Sequence, residues 1–229
     1  MVKLIKEIVP KSSTYYVAVS MGVDSVAAYW FLRGRGYTVI PIHFHHRLRP
    51  QNDTMFKNFM GMTGDTQNYY GYSEHKLTTE EECRKARIEF FSKHIPAGGT
   101  LITAHHLDDY VESYLLNCFR GKPSFRPMNL VSDFGQYKVI HPFLLTEKSD
   151  FRQYMGRFDH KIKDVQVRDL VVEDETNTVV KGSRRNWIRN IIVPAMVDQK
   201  ISMKKYCRNL IAEDIAKIDD NIIAGLETV

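Results

Sequence analysis

The stretch that most constrains this chain is residues 14 to 33, TYYVAVSMGVDSVAAYWFLR, where strand-like patterning gives way to helical patterning across one short turn. Tyr15 to Val19 is a run of aromatic and β-branched residues that suits a buried strand. Val26, Tyr29, Trp30 and Leu32 then recur at helical spacing, with Asp24 or Ser25 as the expected cap. Between them lies Ser20-Met21-Gly22-Val23-Asp24-Ser25. A strand, a turn of small residues and a helix start make an anion site. The first helical N–H groups have no partner in the chain, and the helix dipole adds partial positive charge. The expectation is a phosphate pocket at residues 20 to 25. A plain αβ connection uses the same residue types, because turns need Ser, Gly and Asp. The turn is not a Walker loop, since no Gly-Lys-Ser or Gly-Lys-Thr follows. Nor does it carry the second and third glycines of the dinucleotide fingerprint.

Further strands are expected at residues 37–44, 66–72, 100–104 and 139–143. Helices are expected at 51–62, from Thr78 or Thr79 to 93, at 108–119 and at 147–158. Pro41 is awkward for a central strand, because it cannot donate to a ladder. Strands alternating with helices predict an α/β fold, a doubly wound, mostly parallel sheet whose ligands bind at the carboxyl ends of the strands. Residues 20–25, 43–49 and 104–112 all follow expected strands and should gather at one edge. Residues 1–160 read as the nucleotide-binding α/β domain. Residues 161–229 read as a basic, helical C-terminal part packed on it.

Composition excludes several classes. The 229 residues are 43% hydrophobic and 26% charged, which is neither disordered nor membrane-like. A net charge of +5 permits a polyanionic partner without requiring one. Cys83, Cys118 and Cys207 lie far apart and form no CxxC pair, arguing against a disulfide framework or a structural zinc. No apolar run approaches the roughly 20 residues of a membrane span. Lys6 and Glu7 interrupt what would otherwise be a signal peptide, so residues 1–10 are expected to be a short amphipathic helix and the protein cytoplasmic. Oligomeric state is left open.

Chemistry concentrates in three places. In Thr103 to Glu112, TAHHLDDYVE, Asp108 and Asp109 lie four and three residues from Glu112, so the carboxylates share a helix face. They could be solvated dipole partners, could hold Mg²⁺ with nucleotide phosphates, or could steer a cationic amine. His105 and His106 suit a phosphate or ribose contact, or a packed imidazole. Arg84 and Arg87 share a face of a charge-rich helix that reads equally well as solvated surface. Trp187 among Arg184, Arg185 and Arg189 suits phosphate contacts or RNA stacking, as would a plain capped basic helix.

Taken together, SMGVDS, IHFHHRLRP (42–50), EECRKAR (81–87), TAHHLDDYVES (103–113), FRG (119–121), EDETN (173–177) and RNWIRN (185–190) resemble, in order, the motifs of one family. The first is similar to the PP-loop of ATP pyrophosphatases. The ordered set, over residues 14–196, is similar to the N-terminal catalytic domain of tRNA(Ile)-lysidine synthetase. The resemblance implies that ATP adenylates the C2 oxygen of the wobble cytidine in tRNA(Ile) with a CAU anticodon, and that free L-lysine then attacks C2. It implies that Ser20, Met21, Gly22, Asp24 and Ser25 cradle ATP, that Asp24 places Mg²⁺, and that His45 and His105 neighbour the nucleotide. Asp109 and Glu112 would receive lysine, while Arg84, Arg87 and Arg185 stabilise phosphate or tRNA charge.

Met21 departs from the family pattern, standing where a glycine is usual, and a bulky side chain there could block the phosphates or point away from them. Arg47 also replaces a usual glycine. Longer family members carry C-terminal domains that help hold tRNA, whereas residues 197–229 allow only a helix or two. A thiolase-like PP-loop enzyme, or a non-catalytic nucleotide- or RNA-binding derivative favoured by Met21, are the alternatives.

Overall fold

The computed structural model describes residues 1–46, 51–64, 66–73, 77–121, 126–162, 164–172 and 183–226. The EDETN motif and Arg47 lie outside the described residues.

The chain alternates strand and helix: β1 (Thr14–Ala18), α1 (Val23–Gly34), β2 (Thr38–His45), α2 (Gln51–Thr63), β3 (Tyr69–Tyr72), α3 (Glu80–His94), β4 (Gly99–Ile102) and α4 (Leu107–Phe119). After β5 (Val131–Asp133), β6 (Tyr137–Ile140) and α5 (Lys148–Gly156) comes a short two-stranded ribbon, β7 (Lys161–Ile162) and β8 (Val165–Gln166). The main sheet runs β3-β2-β1-β4-β6-β5, parallel throughout except for the edge strand β5. Strand order therefore reverses at β1. The chain winds outward through β2 and β3, then returns to place β4 on the other side. That reversal opens a crevice past the carboxyl ends of β1 and β4, where doubly wound sheets bind ligands.

Period-two alternation along β1 divides the core between the two faces of the sheet. Tyr15 and Val17 pack with α1 and α5 on one face, while Tyr16 packs with Phe90, Phe91 and Ile95 on the other. Helix α1 is buried from Ser25 through Leu32, because sheet and α5 enclose it. A third apolar cluster joins α4 to the C-terminal helices through Tyr110, Val111, Leu115, Ile188, Cys207 and Ile211.

Pro41 sits inside a central strand after all. Ile42 turns its carbonyl to the β1 side, accepting from Val19 N–H at 2.9 Å. By alternation Pro41 faces β3, and pairing with β3 begins only at Ile42–Tyr69, so its missing N–H leaves no gap in the ladder. The N-terminus also departs from expectation: only Lys6–Ile8 coil, as one 3₁₀ turn. Pro10 stops helix growth, and the segment docks instead, with Val2, Ile5 and Val9 buried and Ile5 N–H donating to the Pro142 carbonyl.

Beyond residue 182 lie α6 (Arg184–Trp187), a π-helical turn (Ile188–Ile192), α7 (Val193–Asp198) and the long α8 (Met203–Leu226). Pro194 cannot donate to a carbonyl one turn back, and the turn before it widens to π geometry. Among the described residues no helix is long and apolar enough to cross a membrane.

Candidate active site

The turn after β1 closes on itself. Helix α1 starts after Gly22, two to three residues earlier than the Asp24 or Ser25 cap expected. Ser25 is inside the helix and its hydroxyl donates to the Gly22 carbonyl at 2.9 Å, while accepting from Ser20 N–H at 3.1 Å. These bonds fold residues 20–25 into a compact loop at the helix N-terminus, the geometry that presents N–H groups to an anion.

Met21 answers the question its bulk raises. Its φ of 65° is left-handed, a conformation glycine adopts without strain, which explains why a glycine suits this position. Its side chain is fully buried in the core beneath the sheet edge. Its carbonyl accepts from Val172 N–H at 2.9 Å, pinning the turn to the segment that leads into residues 173–182. The Met21 side chain is thus part of the core, while its backbone belongs to the turn.

Across the crevice, α4 begins with His106 as its cap. His106 Nδ1 accepts from Asp109 N–H at 3.3 Å, and the Asp109 carboxylate accepts from His106 N–H at 3.1 Å. The other ring nitrogen reaches Asp24 Oδ2 at 3.5 Å. Burial pushes the His106 pKa down, but the Asp24, Asp109 and Asp108 carboxylates outweigh it and the net shift is up. The His106 imidazole therefore bridges the phosphate turn and α4, with Nδ1 as the cap acceptor and Nε2 toward Asp24. Asp109 is held below the usual carboxylate range: burial opposes this, and His106, His105 and Arg185 prevail.

Glu112, one turn on, is buried at 4% exposure and fully engaged. Arg189 grips it with two nitrogens, Nε to Oε1 at 2.6 Å and Nη2 to Oε2 at 2.8 Å. Arg185 adds Nε to Oε2 at 3.1 Å and Nη2 to Ser113 Oγ at 2.9 Å. The sequence reading expects Glu112 to receive the lysine ammonium; in this structure both of its oxygens meet guanidinium groups. The reason is long-range, since Ser183 caps α6 and presents Arg185 and Arg189, four residues apart, to α4.

The remaining expected residues are less central. His45 is buried at the end of β2, 3.3 Å from Asp53. His105 shares the Thr103 hydroxyl with His141, at 2.8 and 2.5 Å. Burial lowers both imidazoles, and His141 falls to about 3, so the pair is neutral. Arg87 is exposed on α3 but within electrostatic reach of His46 and His105, helping to lower both after burial does so. Arg84 is exposed one turn earlier. The sequence reading names His106 and Arg189 but gives neither its partner, Asp24 for the one and Glu112 for the other. The His-His doublet could not say which ring turns inward, whereas the i, i+4 spacing of Arg185 and Arg189 was a usable signal.

Asp24 Oδ1 is buried and has no hydrogen-bond partner among the described residues. No group of three or more His, Cys, Asp or Glu among them is placed to hold a metal alone. One orphaned carboxylate oxygen beside a phosphate turn fits Mg²⁺, which keeps waters and takes one or two carboxylates together with substrate phosphates. Of the three free cysteines Cys83 and Cys207 are buried, burial pushes the Cys207 thiol up to about 12, and Cys118 is exposed near the end of α4.

Three comparisons bear on the site. A tRNA(Ile)-lysidine synthase from Vibrio atlanticus is 26% identical over 95% of this chain and 49% of its own length. One from Shigella flexneri is 28% identical over 79% of this chain and 42% of its own, and one from Legionella pneumophila strain Lens is 31% identical over 55% and 27%. The chain thus spans about half the length, or less, of these relatives. Among solved structures, phosphoadenylyl-sulfate reductase from Candida auris in a phosphate complex is similar over 65% of this chain and 73% of its own, at 9% identity and a TM-score of 0.39, too distant to carry an argument. The model of the PP-loop domain family matches residues 1–196, from the N-terminal turn through the phosphate loop to the Arg185–Arg189 pair, and the chain belongs to that family.

Proposed function

We propose that this chain is an ATP-dependent tRNA-modifying ligase that forms lysidine from the wobble cytidine of tRNA(Ile) with a CAU anticodon. The observation that carries the reading is the 3.5 Å contact between Asp24 of the phosphate turn and His106 at the head of α4. It joins a nucleotide half-site to a carboxylate-bearing half-site across the crevice. In the first step the cytidine C2 oxygen attacks the α-phosphorus of ATP and pyrophosphate leaves. In the second, the lysine amine attacks C2, loses a proton, and AMP departs.

The turn residues Ser20, Gly22 and Ser25 orient the triphosphate through helix N–H groups and hydroxyls. Asp24 would hold Mg²⁺, which supplies charge neutralisation of the phosphates when bound. His106, through Nε2, would lie beside the same phosphates, where negative charge grows in the transition state. Asp109, 17% exposed and with its Oδ1 only at 4.0 Å from Arg189, is the carboxylate assigned to the lysine ammonium, whose proton passes to solvent before attack. Glu112 holds Arg185 and Arg189 toward the incoming RNA. The burial of Met21 away from the turn surface favours a working nucleotide site, and the burial of Cys83 and Cys207 weighs against a thiolase that would use them.

The test is complete turnover. Purified protein with ATP, Mg²⁺, L-lysine and CAU-anticodon tRNA should release AMP in a lysine-dependent manner and leave labelled lysine on one cytidine. If labelled lysine is not found on the tRNA, or AMP forms equally without lysine, the proposed reaction is wrong.

A further inference from the structure

Lys204 lies in the first turn of α8, past the last residue that the family model covers. Its ammonium stands 2.7 Å from Asp108 Oδ1 and 2.7 Å from Glu147 Oε2. Arg208, one turn further, meets the other Glu147 oxygen. Asp108 also accepts the Lys148 N–H through Oδ2 at 2.8 Å, so one lysine ties together the first turns of α4, α5 and α8. That same Oδ2 is 3.7 Å from His106 Nδ1, on the ring whose far nitrogen reaches Asp24. Asp108 is therefore one imidazole away from the phosphate turn.

The charges around the turn are matched one against another. His106 answers Asp24 and Asp109, and Glu112 is satisfied by its two arginines. Asp108 is left to Lys204. Lys204 and Asp108 respond to each other in kind: burial opposes charge on both, yet each is held ionised by its partner.

We propose that Lys204 is a positioning residue that keeps the ATP entrance electrically neutral, by cancelling Asp108 next to the phosphate turn while fixing the α4 head that carries His106. The inference rests on the ATP-using reading above and extends it to a helix outside the family model. For charges on the order of 10 Å apart, one uncompensated negative charge should weaken the binding of an anion by about two- to twentyfold, depending on the effective dielectric. The effect should be larger at low salt, because the Debye length is about 8 Å at physiological ionic strength.

The test uses the full chain and ATP with Mg²⁺ as the probe, followed by calorimetry at low and at physiological salt. Lys204→Met should raise the ATP dissociation constant by about two- to twentyfold, most at low salt, and Lys204→Arg should restore it. The decisive variant is the pair Asp108→Asn with Lys204→Met, which removes both charges and should return ATP affinity to within about twofold of the parent. Unchanged affinity in Lys204→Met, or a double variant as weak as the single one, overturns the proposal and leaves Lys204 a packing residue. A parent protein that binds no ATP at all brings down the nucleotide reading, and this inference with it.

Discussion

The phosphate turn and the Glu112 clamp face each other across the crevice but are built in opposite ways. The hydroxyl bonds that close the turn lie within six residues, from Ser20 to Ser25, with the Val172 N–H on the Met21 carbonyl as a distant anchor, and the helix that follows supplies the dipole. The clamp joins Glu112 to residues 73 and 77 positions later, and exists only because α6 is laid along α4. A local device tolerates change around it and fails when its own atoms change. A long-range device is a buried charge cluster, and losing one member strands the others.

Three experiments would break or sharpen this contrast. The largest effect belongs to Asp24→Ala, which should cut lysine-dependent AMP formation by about two to three orders of magnitude at a stability cost of about 1 kcal/mol, since its Oδ1 supports no bond within the described fold and its Oδ2 meets only His106, at 3.5 Å. A large loss of stability would show that the turn is not self-contained.

Glu112→Ala should behave differently, lowering stability by about 2–3 kcal/mol, a buried-pair penalty discounted because Arg185 is 40% exposed. Adenylation and lysine transfer should fall together, measured as pyrophosphate release and lysine incorporation. Selective loss of lysine transfer would instead restore Glu112 as an amine acceptor.

The smallest effect separates strain from packing at Met21. Met21→Ala should cost about 2–5 kcal/mol in urea unfolding by opening a cavity in the core. Met21→Gly opens a similar cavity but relieves the positive φ, and should be more stable than the alanine variant by about 1 kcal/mol. Equal stabilities would mean that the left-handed backbone carries no strain.

Much of the fold was legible because it rests on periodicities. The β1 pattern, the α1 spacing and the alternation of strand and helix announce a parallel sheet, and the sheet edge follows from that. Boundaries shifted where local chemistry competed: α1 begins at Val23 because Gly22 takes the cap, and residues 6–8 make one 3₁₀ turn because Pro10 interrupts them. Strand β5 escaped notice because three antiparallel edge residues carry no periodic signal. At the site, residue types were readable but their partners were not. Glu112 has the same sequence neighbours whether it meets an ammonium or two guanidinium groups.

What the sequence determined by itself is the kind of machine: a doubly wound sheet with an anion-binding turn and acidic and basic motifs in a recognisable order. These follow from side-chain period and turn chemistry, which act over a few residues. What only the tertiary structure decided is pairing. That His106 rather than His105 turns to Asp24, that Met21 is swallowed by the core, and that Lys204 closes on Asp108 all depend on elements distant in sequence. Electrostatic contacts form between whatever the packing of helices brings within a few ångströms, and no local pattern encodes that proximity.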